Sequence, residues 1–211
     1  GLASSYTAYR TMDAGDAQGN VAFSISNIAD RAGNPASDVI AVTSGSNVRF
    51  DSAVPTISSL TVLSNNPIAT NKATIGDVVT IYFTTGEEQR NLLQTPVVLI
   101  DGEEADEQQN GNAYTWTATK TMDAEDTERD IQFTLNFKDL AANSGVALDH
   151  TDIDASGVLV NFDATAPVIN SESASTTNSY DNTLAILNQV ISIDIVGAEE
   201  LSSVKDVLIA G

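Results

Sequence analysis

Cysteine is absent from the 211-residue chain, which excludes disulfides, cysteine-ligated zinc and thiol nucleophiles. Basic residues are scarce: 9 Lys+Arg stand against 29 Asp+Glu, a formal net charge of −20. That balance argues against nucleic acid as a partner, because gripping a phosphate backbone takes clustered Lys and Arg. Histidine occurs once, at His150, and aromatics make up only 6%. No apolar run approaches the roughly 18 residues that a membrane helix needs, so no membrane insertion is expected in this segment. No basic-then-apolar N-terminal stretch reads as a signal peptide. The chain therefore reads as a mature or excised piece, or as one whose export is directed from elsewhere. What is present is apolar material, 42% of residues, enough for one or two packed cores.

Self-similarity is the strongest signal. Tyr6 to Asp13, Val21 to Ile25, Asp30-Arg-Ala-Gly-Asn34 and Val48-Arg-Phe-Asp51 through Pro55 to Ile57 occur in this order. Trp116 to Asp123, Ile131 to Leu135, Asp139-Leu-Ala-Ala-Asn143 and Val160-Asn-Phe-Asp163 through Pro167 to Ile169 repeat it. The offset is 110 at Met12/Met122, 109 at Asn34/Asn143 and 112 at Pro55/Pro167, drift of the size that loop insertions cause. Val79-Thr-Ile81, Glu87-Glu88 and Val98 to Gly102 correspond likewise to Ile191-Ser-Ile193, Glu199-Glu200 and Val207 to Gly211. Three segments follow: the C-terminal half of a repeat at 1–51, a complete repeat at 52–163, and the N-terminal half of a third at 164–211.

Within the unit, apolar residues alternate with polar ones. Ile131, Phe133, Leu135 and Phe137 flank Gln132, Thr134 and Asn136; Val79, Ile81 and Phe83 follow the same rule, as do Tyr114, Trp116 and Ala118, and Val158, Val160 and Phe162. Period two is the mark of strands with one face in a core and one in water. Leu60 and Val62 open the unit, and Val97 to Ile100 reads as a short buried run. Asn65-Asn-Pro, Thr85-Gly and Asn110-Gly-Asn are turn formers. About seven short strands in about 110 residues predict an all-β fold, an immunoglobulin-like β-sandwich without the antibody disulfide. A closed barrel is the alternative.

Phe-Asp-x-x-x-Pro-x-Ile at 50–57 and 162–169, Gly76-Asp-Val-Val-Thr-Ile-Tyr-Phe, Ile100-Asp-Gly, Tyr114-Thr-Trp-Thr-Ala and Asp30-Arg-Ala-Gly-Asn34, in that spacing, resemble the bacterial Ig-like repeats. Those are strung in tandem in surface adhesins, S-layer proteins and other extracellular prokaryotic proteins. The resemblance covers nearly the whole chain. It implies an extracellular or cell-surface location, a spacer role without catalysis, neighbouring repeats as partners, and calcium at the inter-domain junctions. One departure stands out: Ala142 occupies the place of Gly33, and a position needing positive φ would force that loop to bend differently.

Read as seven antiparallel strands, with one of them between Gly102 and Tyr114, the unit sends its acidic turns to the two ends. The first junction would gather Asp13, Asp16, Asp51, Glu87, Glu88, Asp139 and Asn143; the second, Asp123, Asp126, Asp163, Glu199 and Glu200. Calcium takes about 6–8 oxygen ligands in flexible geometry, and a divalent ion would turn the mutual repulsion of such carboxylates into attraction. Asp163 to Pro167 spans at most roughly 14 Å, and Pro167 limits the hinge. The plainer reading is that these are solvated turn residues and that the charge serves solubility or a high-salt habitat. No Asp-x-Asp-x-Asp-Gly run of an EF-hand occurs.

Other chemistry is poorly supported. His150, in Asp149-His-Thr-Asp152, has no triad partners and reads as a surface residue. Glu87-Glu88 and Glu103-Glu104 are neighbours whose side chains point apart, unlike a glycosidase pair. Trp116 sits in an alternating row and reads as core rather than as a sugar platform. The chain begins and ends inside a repeat. It is either a window on a longer protein, or a unit whose 164–211 half completes a sandwich with the 1–51 half of another copy in a fibre. A carbohydrate- or protein-binding module and an accessory domain of a large extracellular enzyme stand beside the spacer reading.

Overall fold

A computed structural model of the chain describes residues 5–86, 94–110, 114–154, 157–204 and 206–209. All regular elements among them are strands, so the molecule is all-β and sandwich-like in its central part. The chain divides into two compact units, Gly1–Phe162 and Asp163–Gly211.

In the first unit, β3 (Ile57–Ser64), β5 (Val78–Thr85), β9 (Thr115–Thr121) and β8 (Asp106–Gln109) form a sheet in the order β3-β5-β9-β8. A second sheet has the order β12-β11-β6-β7, from Leu148–Asp149, Phe133–Asn136, Val97–Ile100 and Glu103–Glu104. Where one strand is expected between Gly102 and Tyr114 there are two short ones, β7 and β8, one in each sheet. Asp101 and Gly102, both with positive φ (49° and 87°), make the two-residue turn from β6 to β7, the backbone shape that suits a tight hairpin. A third, small sheet joins β10 (Arg129–Asp130), β13 (Asn161–Phe162) and β4 (Lys72–Ala73), with β13 and β4 parallel.

The alternation read from the sequence becomes two inward faces. Leu60, Val62, Val79, Ile81, Phe83, Trp116 and Ala118 are buried on the first sheet, and Val98, Ile100, Phe133 and Leu135 on the second. Ile131, Val160 and Phe162 extend this core through the third sheet, and Trp116 stacks on Phe83 with ring centroids 6.5 Å apart. Trp116 is a core residue. Val158 departs from the expected row: it is exposed, whereas Val160 is buried and accepts a hydrogen bond from the Ile131 amide at 2.8 Å.

Segments outside the central sandwich carry similar local pairing. Asn20 lies opposite Arg49 in β1 (Gly19–Asn20) and β2 (Arg49–Phe50), as Asp130 lies opposite Asn161. The second unit is a hairpin of β14 (Ile169–Thr176) and β15 (Ile191–Gly197). Its register reproduces that of β3 and β5 position for position: Ile191 faces Thr176 as Val79 faces Ser64, and the bulge between Ile169 and Ser171 falls where β3 bulges between Ile57 and Ser59. Small turns recur as well: the Ile68 amide donates to Asn66 Oδ1 and the Tyr180 amide to Asn178 Oδ1, each at 3.0 Å.

Burial of Phe133 at 2% exposure between the sheets yields a direct test. Phe133→Ala should destabilise the central sandwich by about 3–5 kcal/mol in urea unfolding, the usual cost of emptying a packed aromatic site. A change within experimental error would overturn this register.

Candidate functional site: acidic turns and junction loops

Acidic residues expected at the junctions fall in three kinds of turn, each with its own hydrogen-bond pattern. In the turn after β9, the Asp123 amide donates to Asp126 Oδ2 at 2.8 Å, and the Glu125 amide to Asp123 Oδ1 at 2.8 Å. The turn at residues 13–16 makes the same two bonds, Asp13 amide to Asp16 Oδ2 and Gly15 amide to Asp13 Oδ1, both 2.8 Å. Each turn is crossed by a cation six residues before its second aspartate: Lys120 bonds to Asp126, and Arg10 bonds to Asp16. Lys120 is held by Glu103 as well, at 3.0 Å.

The two ion pairs differ in environment. Lys120 and Asp126 side chains are 6% and 5% exposed, whereas Arg10 is 67% exposed. Desolvation, the largest single influence on Lys120, pulls its pKa down, but hydrogen bonds and charge from Asp126 and Glu103 together carry it above 10.5. For Asp16 the Asp13 amide is the main influence holding its pKa below 3.8, with Arg10 adding to it. Lys120 escapes a reading that follows only the acidic residues. Its signal is nevertheless in the sequence: a basic residue on the inward parity of Trp116 and Ala118, matched by Arg10 in the similar stretch 110 residues earlier.

Asp139 and Asn143 form a closed loop. Asp139 Oδ1 accepts from the Asn143 amide and Oδ2 from Asn143 Nδ2, both at 2.8 Å, and Asp139 is 5% exposed. Asp30 and Asn34 repeat these bonds at 2.9 and 2.7 Å, and Asn34 is the main cause of a lowered Asp30 pKa. Ala142 has φ 69°, close to the 89° of Gly33, and the loop keeps its hydrogen bonds. The expectation of a different bend is thus corrected: the carboxylate–amide clamp holds alanine in the left-handed region.

Asn143 Nδ2 also donates to the Asp51 carbonyl at 3.2 Å, so the loop after β11 does meet the linker. The Asp51 carboxylate caps the Ala53 amide and Asp163 caps the Thr165 amide, each at 3.0 Å. Glu199 and Glu200 are exposed in the second unit, and Glu87 and Glu88 lie outside the described residues. Among the described residues, no group of three or more His, Asp or Glu is arranged to hold a metal. Asp139, Asp126 and Asp16 accept hydrogen bonds from amides and cations of their own turns.

On the second sheet an open depression of about 330 Å³ is lined by residues including Leu99, Asp101, Arg129, Gln132, Asp149 and His150. Its charges are engaged: Arg129 Nη2 and the Gln132 amide donate to Asp101 Oδ1 at 3.0 and 3.2 Å, and Asp149 accepts from Thr151. Thr151 hydrogen bonds, first from its hydroxyl, hold the Asp149 pKa low. No helix among the described residues is long and apolar enough to cross a membrane. Comparison with protein-family models, curated proteins and solved structures returns no match to this chain.

Three outcomes are expected from these contacts. Lys120→Ala leaves the Asp126 carboxylate buried without its cation and should cost about 3–5 kcal/mol in chemical unfolding; Arg10→Ala, in an exposed pair, should change little. Ala142→Gly should raise stability by about 1 kcal/mol by releasing left-handed strain. Asp16, Asp30, Asp149 and Asp181 have folded pKa values below 3.8, so their contribution is complete above that value and is lost as pH falls through the folded pKa values. Lys120 has the opposite sense: its contribution is complete below 10.5 and is lost as pH rises through its raised folded value. Thermal melts should hold a plateau between these limits; a decline already near neutral pH would contradict the assignment.

Proposed function

We propose that the chain is a non-catalytic structural spacer built of tandem immunoglobulin-like repeats, with halves at 1–51 and 164–211 flanking a complete repeat at 52–163. The observation that carries this reading is the recurrence of hydrogen bonds together with sequence. The Asp13/Asp123 turn, the Asp30/Asp139 clamp, the Asp51/Asp163 cap and the β3–β5/β14–β15 register each return at the counterpart position of the next repeat. Strand order supports the sandwich type. The sheets β3-β5-β9-β8 and β12-β11-β6-β7 follow the A-B-E-D and G-F-C pattern of immunoglobulin domains, with β7 as an added edge.

A spacer suits the side chains as well. The engaged carboxylates hold turns, and the aromatic Trp116 is spent on the core. Neighbouring repeats of the same protein are the proposed partners, and the extracellular or cell-surface setting rests on the resemblance to bacterial Ig-like repeats alone. Calcium is a separate element of the proposal. It would draw on the acidic residues of the junction turns, of which Asp51, Asp163, Glu199 and Glu200 are exposed.

Residues 52–163 expressed alone should unfold cooperatively as one β-rich unit; failure to fold would sink the division into repeats. A rise in melting temperature with millimolar calcium, reversed by chelator, is expected if the exposed carboxylates bind the ion, by ligand linkage. Coincident melting curves would remove calcium from the proposal and leave the repeat reading in place.

A further inference from the structure

One carboxylate oxygen in the central sandwich is buried without a partner. The side chain of Asp101, in the turn between β6 and β7, is 3% exposed. Its Oδ1 accepts from Arg129 Nη2 and from the Gln132 amide, whereas Oδ2 has no hydrogen-bond partner among the described residues. A buried acceptor left unpaired costs more than a paired one contributes, so such an atom marks a place for a donor from elsewhere. Asp101 lines the depression of about 330 Å³ on the second sheet, which gives an outside donor room to enter.

The rest of the lining has the composition of a ligand cleft, an apolar floor with a few converging polar groups. Leu99 is half-buried on the outward side of β6, opposite Thr134, because Val98 and Ile100 take the inward positions. Thr134 in turn lies opposite Asp149. Thr151 donates from its amide and its hydroxyl to Asp149 Oδ1, which leaves Oδ2 outside these bonds. Arg129 is 47% exposed and holds Asp101 through one nitrogen, so further N–H donors of its guanidinium remain. His150, the only histidine of the chain, adds an imidazole that when neutral donates at one nitrogen and accepts at the other.

Charge narrows the class of ligand. A cation here meets the Arg129 guanidinium, and an anion meets Asp101 and Asp149 on a chain of net charge −20. We propose that the depression binds a neutral sugar ring, its hydroxyls paired with Asp101, Asp149, Arg129 and His150 and one C–H face laid on Leu99. A hydroxyl donates and accepts at once, which suits a carboxylate and a guanidinium set side by side. Oδ2 is shielded from water, so the hydroxyl reaches it as the carboxylate turns about χ2, a soft torsion in aspartate. The volume is at the lower end of the about 300–1,000 Å³ usual for ligand clefts, which suits one ring rather than an oligosaccharide. All of these residues lie between 99 and 150, so the inference goes beyond the spacer reading and does not rest on it.

NMR titration of the isotope-labelled full chain with the methyl glycosides of glucose, galactose, mannose and N-acetylglucosamine tests this, with glucuronate as the anionic control. At least one neutral glycoside should shift the amides of Gly102, Gln132 and His150 saturably, with a Kd of about 1–10 mM, and glucuronate should bind about tenfold more weakly. Asp101→Asn keeps an acceptor for the Gln132 amide, tolerates the positive φ of 49° and puts a donor in place of Oδ2. It should weaken binding by about tenfold or more. Arg129→Gln, at a side chain half in solvent, should weaken it about threefold to tenfold while circular dichroism shows the fold intact. Tyr82→Ala, which removes an exposed ring from the outward face of the first sheet, should leave the Kd unchanged. Absence of any saturable shift at about 50 mM glycoside would leave water as the only occupant and overturn the proposal. Shifts centred on Tyr82, an equal response to glucuronate, or binding indifferent to both Asp101→Asn and Arg129→Gln would each overturn it as well.

Discussion

Everything in the central sandwich depends on two rows of apolar side chains that can leave water only by facing each other. A strand exposes alternate residues on opposite sides, so a sheet with Val79, Ile81 and Phe83 on one face must find a second apolar face. Phe133, Leu135, Val98 and Ile100 provide it. Polar positions between them face outward and stay hydrated. Sheet order, turn placement and the ends where loops gather all follow from bringing those rows together.

Polar chemistry in this molecule is local and architectural. Asp139 and Asn143 close a loop on themselves, Asp123 and Asp126 close a turn, and Asp51 and Asp163 cap the first amides of their linkers. A carboxylate accepting backbone amides is satisfied within a few residues, which is why such turns can be rich in acidic residues without needing one another. Lys120 is the exception in reach. It lies on the inward side of β9 and is nevertheless compensated, because Asp126 and Glu103 both arrive at its ammonium group. A buried cation in this setting fixes the turn to the edge of the sheet.

Equivalent sequence does not meet equivalent surroundings along the chain. Phe23 and Phe133 share a motif, yet one is substantially exposed and the other is core. Arg10 and Lys120 make the same bond, one in solvent and one buried. Hydrogen bonds among close neighbours survive this difference because they need only the local backbone.

The period-two alternation, the turn residues and the self-similarity between successive segments were legible without coordinates, since each is a property of neighbouring residues and of backbone dihedral preference. From them came the all-β class, the extra strand before Tyr114, and Trp116 and Phe133 as core. The fate of the carboxylates was not legible. Whether Asp126 faces a metal, solvent or Lys120 depends on how far β9 and its turn bring distant atoms together, and composition carries no such information. Ala142 makes the same point for the backbone: its side chain predicts a right-handed conformation, and only the clamp between Asp139 and Asn143 decides the left-handed one. Residue type and spacing determined which elements form and which faces are apolar; tertiary packing decided which charges are neutralised and by whom, because Coulomb and hydrogen-bond energies depend on distances that close only when the sheets do.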